Sequence, residues 1–218
     1  MAPSLVVLAK APVPGRVKTR LCPPCTPAEA ALLANAALRD TLDAAARATA
    51  GRRLLVLEGR PGRWMPPGFD VVPQQGRGLA ARLAAAFDAA GGPALLIGMD
   101  TPQVTPRLLD AGLERLADAP AVYGAAADGG YWAIGLREPD PRVFEGVPMS
   151  RAWTGAAQLA RLDALGLAPA RLPVLRDVDT VADAPVVAAL APRGAFAAAW
   201  RELAPLLARR GAGGEAVA

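Results

Sequence analysis

The sequence predicts an α/β fold, a three-layer α/β/α sandwich around a mostly parallel sheet. Three observations carry this. The apolar runs SLVVLA, LLVL and ALLI are short and continuous rather than alternating, the mark of strands buried on both faces. Patterns of helical length separate most of the runs, and regular alternation of strand and helix implies parallel pairing. Polar clusters follow the runs directly, at 10–20, 98–102 and 177–183, where sheets of this kind bind their ligands.

Taken in order, residues 4–9 form a buried central strand, and a loop rich in Pro and Gly follows from Lys10 to Pro24. Thr26, Pro27 and Glu29 spell a capping box with Pro at the first helical position, so a helix begins there and runs to about Ala48. Strands are predicted at 53–58 and 70–73, with a loop of three prolines and three glycines at 59–68 between them. A helix spans 79–90, a strand 94–98, and Thr105 with Pro106 starts a helix that reaches about Ala117. Residues 121–126 and 131–136 read as strands flanking Asp128, Gly129 and Gly130. A helix at 154–165, a strand at 172–175 and helices at 182–190 and 196–208 complete the pattern.

A chain of 218 residues, 53% of them hydrophobic, can bury a sizeable core, and a single domain is expected over 1–210, followed by a disordered tail at 211–218. Aromatic residues make up only 5%, so Leu, Val and Ala must fill the interior. The formal net charge is +4, with Lys10 and Lys18 the only lysines. A modest basic excess suits a phosphate-bearing ligand. The arginines are scattered and show no basic face interleaved with aromatics, so no nucleic-acid partner is expected.

The chain has no histidine, which excludes Ser-His-Asp and Cys-His catalysis, His-ligated zinc and His general bases. A metal would have to sit on oxygen or thiolate ligands, and oxygen ligands select hard ions such as Mg²⁺ or Mn²⁺. Cys22 and Cys25 lack the two further ligands a zinc site needs and lie in a proline-rich loop, so no role is assigned to them. The apolar stretch at 5–9 is too short for a signal peptide, Lys10 interrupts it, and no run has the length of a membrane span. A cytoplasmic protein without a membrane partner is expected; the oligomeric state is not legible.

Four stretches could carry chemistry. The first, KAPVPGRVKTR, places four cations between a strand and a helix. Gly15 allows close backbone approach, and Lys10, Arg16, Lys18 and Arg20 could surround a di- or triphosphate. The spacing is not that of a Walker A loop, and a solvated basic loop is the plain alternative. The second is Asp100 in GMDTP, a carboxylate directly after a buried strand, well placed for a metal at the sheet's edge or else a turn residue. The third is Asp128-Gly-Gly, either a ligand-approaching segment or a hairpin turn. The fourth is Asp177, Asp179 and Asp183. Carboxylates at i and i+2 share a face and could meet Asp100 around a cation, or they could cap the following helix. A lesser candidate is the Gly-rich stretch QQGRGL, with Gln75 and then Arg82 offered to a nucleotide.

In this order, the stretches AKAPVPGRVKTRL, GMDTPQVTP, AADGGYWAIGL, PMSRAWTGAAQ and DVDTVAD resemble the GT-A-like nucleotide-diphosphosugar transferase superfamily, a Rossmann-like fold. More narrowly they look like a bacterial family often labelled glycosyltransferase and linked in some members to arsenosugar biosynthesis. The N-terminal half also resembles nucleotidyltransferases such as phospholactate guanylyltransferase. The resemblance implies that Asp100 and Asp179, with Asp177 beside them, bind the metal. It implies a phosphate-binding loop of Lys10, Ala11, Pro12, Gly15, Arg16, Lys18 and Arg20. It sets Asp128, Gly129, Gly130, Ser150 and Thr154 near the sugar or acceptor, and gives the chemistry to Asp100, Asp128 and Lys18. One departure stands out: Pro102, not a second Asp, follows two residues after Asp100.

The expected activity is therefore a transferase that uses Mg²⁺ or Mn²⁺. It is either a glycosyltransferase taking a nucleotide-diphosphosugar and a small-molecule acceptor, or a nucleotidyltransferase joining part of an NTP to a phosphorylated acceptor. A non-catalytic nucleotide-binding protein is the remaining alternative.

Overall fold

The first apolar run lies at the heart of the sheet. In the computed structural model, which describes residues 2–214, it forms β1 (Ser4–Lys10), and Leu5, Val6 and Val7 expose none of their surface. The elements that follow are α1 (Pro27–Arg47), β2 (Arg52–Glu58), β3 (Asp70–Pro73), α2 (Leu79–Ala90), β4 (Ala94–Ile97), α3 (Pro106–Arg115), β5 (Ala121–Ala126), β6 (Tyr131–Leu136), α4 (Thr154–Ala164), β7 (Pro169–Leu175), α5 (Asp183–Leu190) and α6 (Ala195–Gly214). Short 3₁₀ turns stand at Thr19–Leu21 and Pro141–Phe144.

Among the described residues one seven-stranded sheet has the order β3-β2-β1-β4-β6-β5-β7. β1 pairs in parallel with β2 on one side and β4 on the other, Leu5 lying opposite Arg53 and Leu95. β6 alone runs against its neighbours β4 and β5, while β5 and β7 pair in parallel. The order reverses between β1 and β4, and the crevice at such a switch point is where α/β sheets bind ligands. Because β6 is antiparallel, its first residues reach the edge at which β1, β4, β5 and β7 end. β2 and β3, parallel to β1, end there as well, so all seven strands deliver loop residues to one edge.

Successive side chains of a strand face opposite ways. Leu5 and Val7 of β1, with Leu55, Leu95 and Ile97, meet Leu38 and Leu42 of α1 and Leu109 and Leu113 of α3. Val6, with Leu54, Leu96 and Ile134, meets Leu83 and Phe87 of α2 and Leu162 of α4. The three layers are therefore two helix layers and the sheet between them. A third cluster joins α1 to α5 and α6 through Leu33, Val187, Phe196 and Leu203. Thr26 caps α1 as its local sequence requires, receiving the Glu29 N–H while Glu29 accepts from the Thr26 N–H.

Some boundaries differ from expectation. β7 begins at Pro169 rather than at 172, because its early residues pair with β5 although few of them are apolar. The tail expected from 211 onward begins as helix, since α6 continues to Gly214; residues 215–218 lie outside the described residues. No helix is long and apolar enough to cross a membrane among the described residues.

Asp40 of α1 fastens α6 to the body. Its carboxylate accepts from the Ala195 N–H at 2.7 Å and from the Phe196 N–H at 2.8 Å, two of the donors that the start of α6 would otherwise leave unpaired. Asp40→Ala should lower unfolding stability by about 1–2 kcal/mol, the usual cost of a lost helix cap. Denaturant titration would measure it, and an unchanged midpoint would show that this cap contributes nothing.

Candidate active site

The strand ends enclose a cleft of about 920 Å³. Leu8, Leu83, Leu96 and Trp132 contribute apolar surface, and Lys10, Arg16, Lys18, Arg20, Arg82, Asp100, Asp128, Asp177 and Asp179 contribute charge. The first-loop cations and the chain-distant carboxylates thus share one cavity. Ser150, Thr154 and Gly130 also line it, whereas Ala11, Pro12, Gly15, Gln75 and Gly129 do not.

Backbone bonds bring the loops together. The Val178 N–H donates to the Asp100 carbonyl at 3.0 Å, joining the 177–183 segment to the loop after β4. The Ala127 N–H donates to the Leu175 carbonyl at 2.8 Å, and the Gly98 N–H to that of Trp132 at 3.2 Å. Asp183 steadies the segment by accepting from the Thr180 N–H and hydroxyl, both at 2.8 Å, and pairs with Arg176 at 3.0 Å. Asp183 thus stands in the first turn of α5, as the capping alternative anticipates, but the cap position is Ala182 rather than Thr180 or Asp179.

Lys18 is the centre of the charge network. Its ammonium stands 2.7 Å from Asp100 Oδ1 and 3.3 Å from Asp179 Oδ1, and it also donates to the Val178 carbonyl. Its side chain is only 7% exposed. Burial alone would depress the lysine, but Asp100, Asp179 and Asp177 outweigh it and hold its pKa above the ordinary value. Arg20 pairs with the other Asp179 oxygen at 3.2 Å, and Lys10 lies 3.7 Å from Glu58 Oε2. Three of the four first-loop cations are thus turned onto carboxylates, while Arg16 is exposed at the cleft.

Among the described residues no group of three or more Cys, Asp or Glu is placed as a ready metal cage. The donor chemistry nevertheless fits a hard divalent ion. Asp100 and Asp179 each offer an oxygen to the same point, and the neighbouring Asp177 Oδ1 is buried without a hydrogen-bond partner. Burial, reinforced by Asp100, Asp128 and Asp179 and opposed by Lys18, pushes Asp177 up to about 7.

Asp128, which also lines the cleft, accepts through Oδ1 from the Gly130 N–H at 2.8 Å and so closes its own turn between β5 and β6. Gly129 has φ +89°, and a Cβ there would lie 1.9 Å from the Ala152 carbonyl oxygen. Glycine is therefore required for the turn to pack under the 148–153 loop. Thr154 holds that loop, donating to the Pro148 carbonyl at 2.7 Å and accepting from the Arg151 N–H at 2.9 Å.

Some residues in the cleft or in contact with its lining escape the sequence reading. Gln74 rather than Gln75 faces the cleft, donating to the Ala9 carbonyl at 2.8 Å and accepting from Arg82 at 3.1 Å. Glu58, at the end of β2, binds Arg82 and approaches Lys10. A charged residue at a buried strand's end is the same signal that marks Asp100, and it could have flagged Glu58. Tyr131 donates to Gln158 Oε1 at 3.3 Å, and Gln158, wholly buried, donates to the Val143 carbonyl at 2.8 Å. Nothing local in the sequence marks that pair.

A parallel α/β sheet whose switch-point cleft sets a cationic first loop against strand-end carboxylates defines the nucleotide-dependent transferase class. The chain belongs to the family described as "Uncharacterized protein conserved in bacteria (DUF2064)", whose profile matches residues 32–151. It is similar to a protein of Desulfovibrio desulfuricans G20 provisionally named a nucleotide-diphospho-sugar transferase. That likeness has 27% identity and a TM-score of 0.82 over 96% of this chain and 98% of the other. CMP:2-keto-3-deoxy-manno-octonic acid synthetase, solved with CTP, aligns at 12% identity and a TM-score of 0.57 over 88% of this chain and 99% of its own. Rv0371c of Mycobacterium tuberculosis H37Rv, solved with manganese, aligns at 23% and 0.50 over 86% and 98%. The last two share the fold. No curated protein matches the chain in sequence.

The raised Asp177 has a consequence for stability. Between its ordinary value of 3.8 and about 7 the folded chain holds a proton there that the unfolded chain has released. Folding therefore loses stability at this group as pH rises through that window, and the loss is complete above about 7. In metal-free buffer Asp177→Asn should flatten the fall between about pH 4 and pH 7. Denaturant midpoints along the pH series test this, and an identical slope in the two proteins would refute it.

Proposed function

We propose that the protein is a metal-dependent glycosyltransferase that moves a sugar from a nucleotide-diphosphosugar to a small-molecule acceptor. The observation that carries the reading is the convergence of Asp100, Asp177, Asp179 and Asp128 with the first-loop cations in one cleft. The volume of about 920 Å³ lies in the upper part of the usual range for ligand sites and suits a nucleotide and sugar together. The likeness to the Desulfovibrio protein supports the donor class, and the manganese of Rv0371c supports the ion.

In this reading Asp100 and Asp179, with Asp177, hold a Mg²⁺ or Mn²⁺. When bound, that ion would supply positive charge where the leaving diphosphate gathers negative charge. Arg16, Arg20, Lys10 and Lys18 flank the same phosphates and add preorganised cationic contacts. An acceptor hydroxyl attacks the anomeric carbon, the bond from that carbon to the diphosphate oxygen breaks, and the nucleoside diphosphate departs. Asp128 takes the acceptor's proton through Oδ2, since Oδ1 is engaged by Gly130. Ser150, Thr154, Gly129 and Gly130 form or support the acceptor side. Gln74 and Arg82 border the nucleotide, with Gln75 outside the cleft.

A second reading is favoured by one observation, the four cations at 10–20. These suit a triphosphate, and the activity would then be nucleotidyl transfer to a phosphorylated acceptor with release of pyrophosphate. The CTP complex of the synthetase shares the fold and is consistent with it.

Incubation with a panel of UDP- and GDP-sugars and Mn²⁺ should release nucleoside diphosphate, with slow hydrolysis when no acceptor is present. Asp100→Asn should reduce that rate by on the order of 10²-fold or more, as expected when charge stabilisation is lost. Pyrophosphate release from NTPs, without sugar release, would favour the second reading. Nucleotide binding that is metal-independent and unaffected by Asp100→Ala, with no turnover on either panel, would leave a non-catalytic binding protein.

A further inference from the structure

Lys18 occupies the position that the carboxylates offer to a cation. Its ammonium has three donors, and each has an acceptor: Asp100 Oδ1 at 2.7 Å, Asp179 Oδ1 at 3.3 Å and the Val178 carbonyl. The seat does not depend on the lysine for its shape, because the Val178 N–H to Asp100 carbonyl bond joins the two loops independently. The backbone of Lys18 is itself unusual, with φ 48°, in the left-handed region. Few non-glycine residues adopt such a conformation, and the Lys18 side chain is turned inward, only 7% exposed. Val17 and Leu21 on either side are buried at 6% and 0% exposure, so the backbone is pinned while the long side chain remains the movable part.

We propose that Lys18 is a resident counter-ion that competes with the divalent metal for the Asp100–Asp179 seat. It cedes the seat when the phosphates of a nucleotide offer its ammonium another anion. This rests on the metal reading above and adds an order of loading to it. A dication on those two carboxylate oxygens would stand beside the ammonium, and the like charges repel, the more so because the Lys18 side chain is only 7% exposed. Metal alone must expel the lysine into a cleft whose remaining carboxylates, Asp128 and Asp183, are already engaged by the Gly130 N–H and by Arg176 and Thr180. Metal arriving with a nucleotide meets a lysine that has a phosphate to go to. The protein should therefore bind metal weakly by itself and tightly together with nucleotide, and so guard its carboxylates against adventitious cations.

The experiment is a Mn²⁺ titration followed by electron paramagnetic resonance, on the full chain with and without UDP or GDP. Lys18→Met should bind Mn²⁺ at least about 10-fold more tightly than the natural protein when no nucleotide is present, since a full like charge has been removed from the seat. Lys18→Arg, which restores the charge, should bind as weakly as the natural protein. Nucleotide should raise the Mn²⁺ affinity of the natural protein by a larger factor than that of Lys18→Met. If the natural protein takes up Mn²⁺ with nucleotide but Lys18→Met binds it no more tightly without, the competition is refuted and the metal reading stands. If neither protein takes up Mn²⁺ under any condition, both fall.

The lysines provide a second readout without any variant, because Lys10 and Lys18 are the only two in the chain. Lys10, with 50% of its side chain exposed, is an internal reference for amine acylation measured by mass spectrometry. Lys18 should acylate slowly in the free protein and faster, relative to Lys10, at Mn²⁺ concentrations that fill the site without nucleotide. An unchanged ratio at full occupancy would overturn the proposal.

Discussion

Carboxylates brought to one sheet edge repel one another unless a cation stands among them, and the architecture of this cleft follows from that constraint. Asp100, Asp177 and Asp179 come from two loops far apart in sequence, yet the bond from the Val178 N–H to the Asp100 carbonyl holds those loops side by side. The Lys18 ammonium supplies the compensating charge. Around it the same logic recurs: Arg20 on Asp179, and Lys10 and Arg82 on Glu58. A cleft organised in this way presents few uncommitted charges. A phosphate-bearing ligand must be accommodated by exchanging partners within an existing network.

The sheet explains why the network can form at all. β1 and β4 end at the switch point, and the antiparallel β6 begins there, so one edge receives loops from both halves of the chain. A parallel β6 would begin at the opposite edge and carry Tyr131 and Trp132 away from the cleft they line.

Much of this was legible because the signals are local. The capping box at Thr26, the Thr105-Pro106 start and the unbroken apolar runs each depend on a few adjacent residues, and α2, β5 and β6 lie where the patterns put them. A strand's apolar pattern reads the same in both directions, and it is the hairpin alternative at Asp128-Gly-Gly that anticipates the antiparallel pairing of β6 with β5. The choice between Gln74 and Gln75 failed for a geometric reason. Side chains alternate along an extended chain, and a shift of one residue exchanges cleft for solvent. β7 began early because pairing with β5 supports residues that hydrophobicity alone does not mark.

The least legible feature was the destination of Lys18. Its spacing in KAPVPGRVKTR suggests a phosphate ligand, whereas the fold sends it into the carboxylates. Whether it can be exchanged for a metal is most directly seen in a crystal of the protein grown with Mn²⁺ and a nucleoside diphosphate, using the anomalous signal of manganese. The account predicts an ion about 2.0–2.6 Å from oxygens of Asp100 and Asp179, with the Lys18 ammonium moved onto a phosphate. Nucleotide bound with Lys18 still seated between the two carboxylates, and manganese elsewhere or absent, would contradict it.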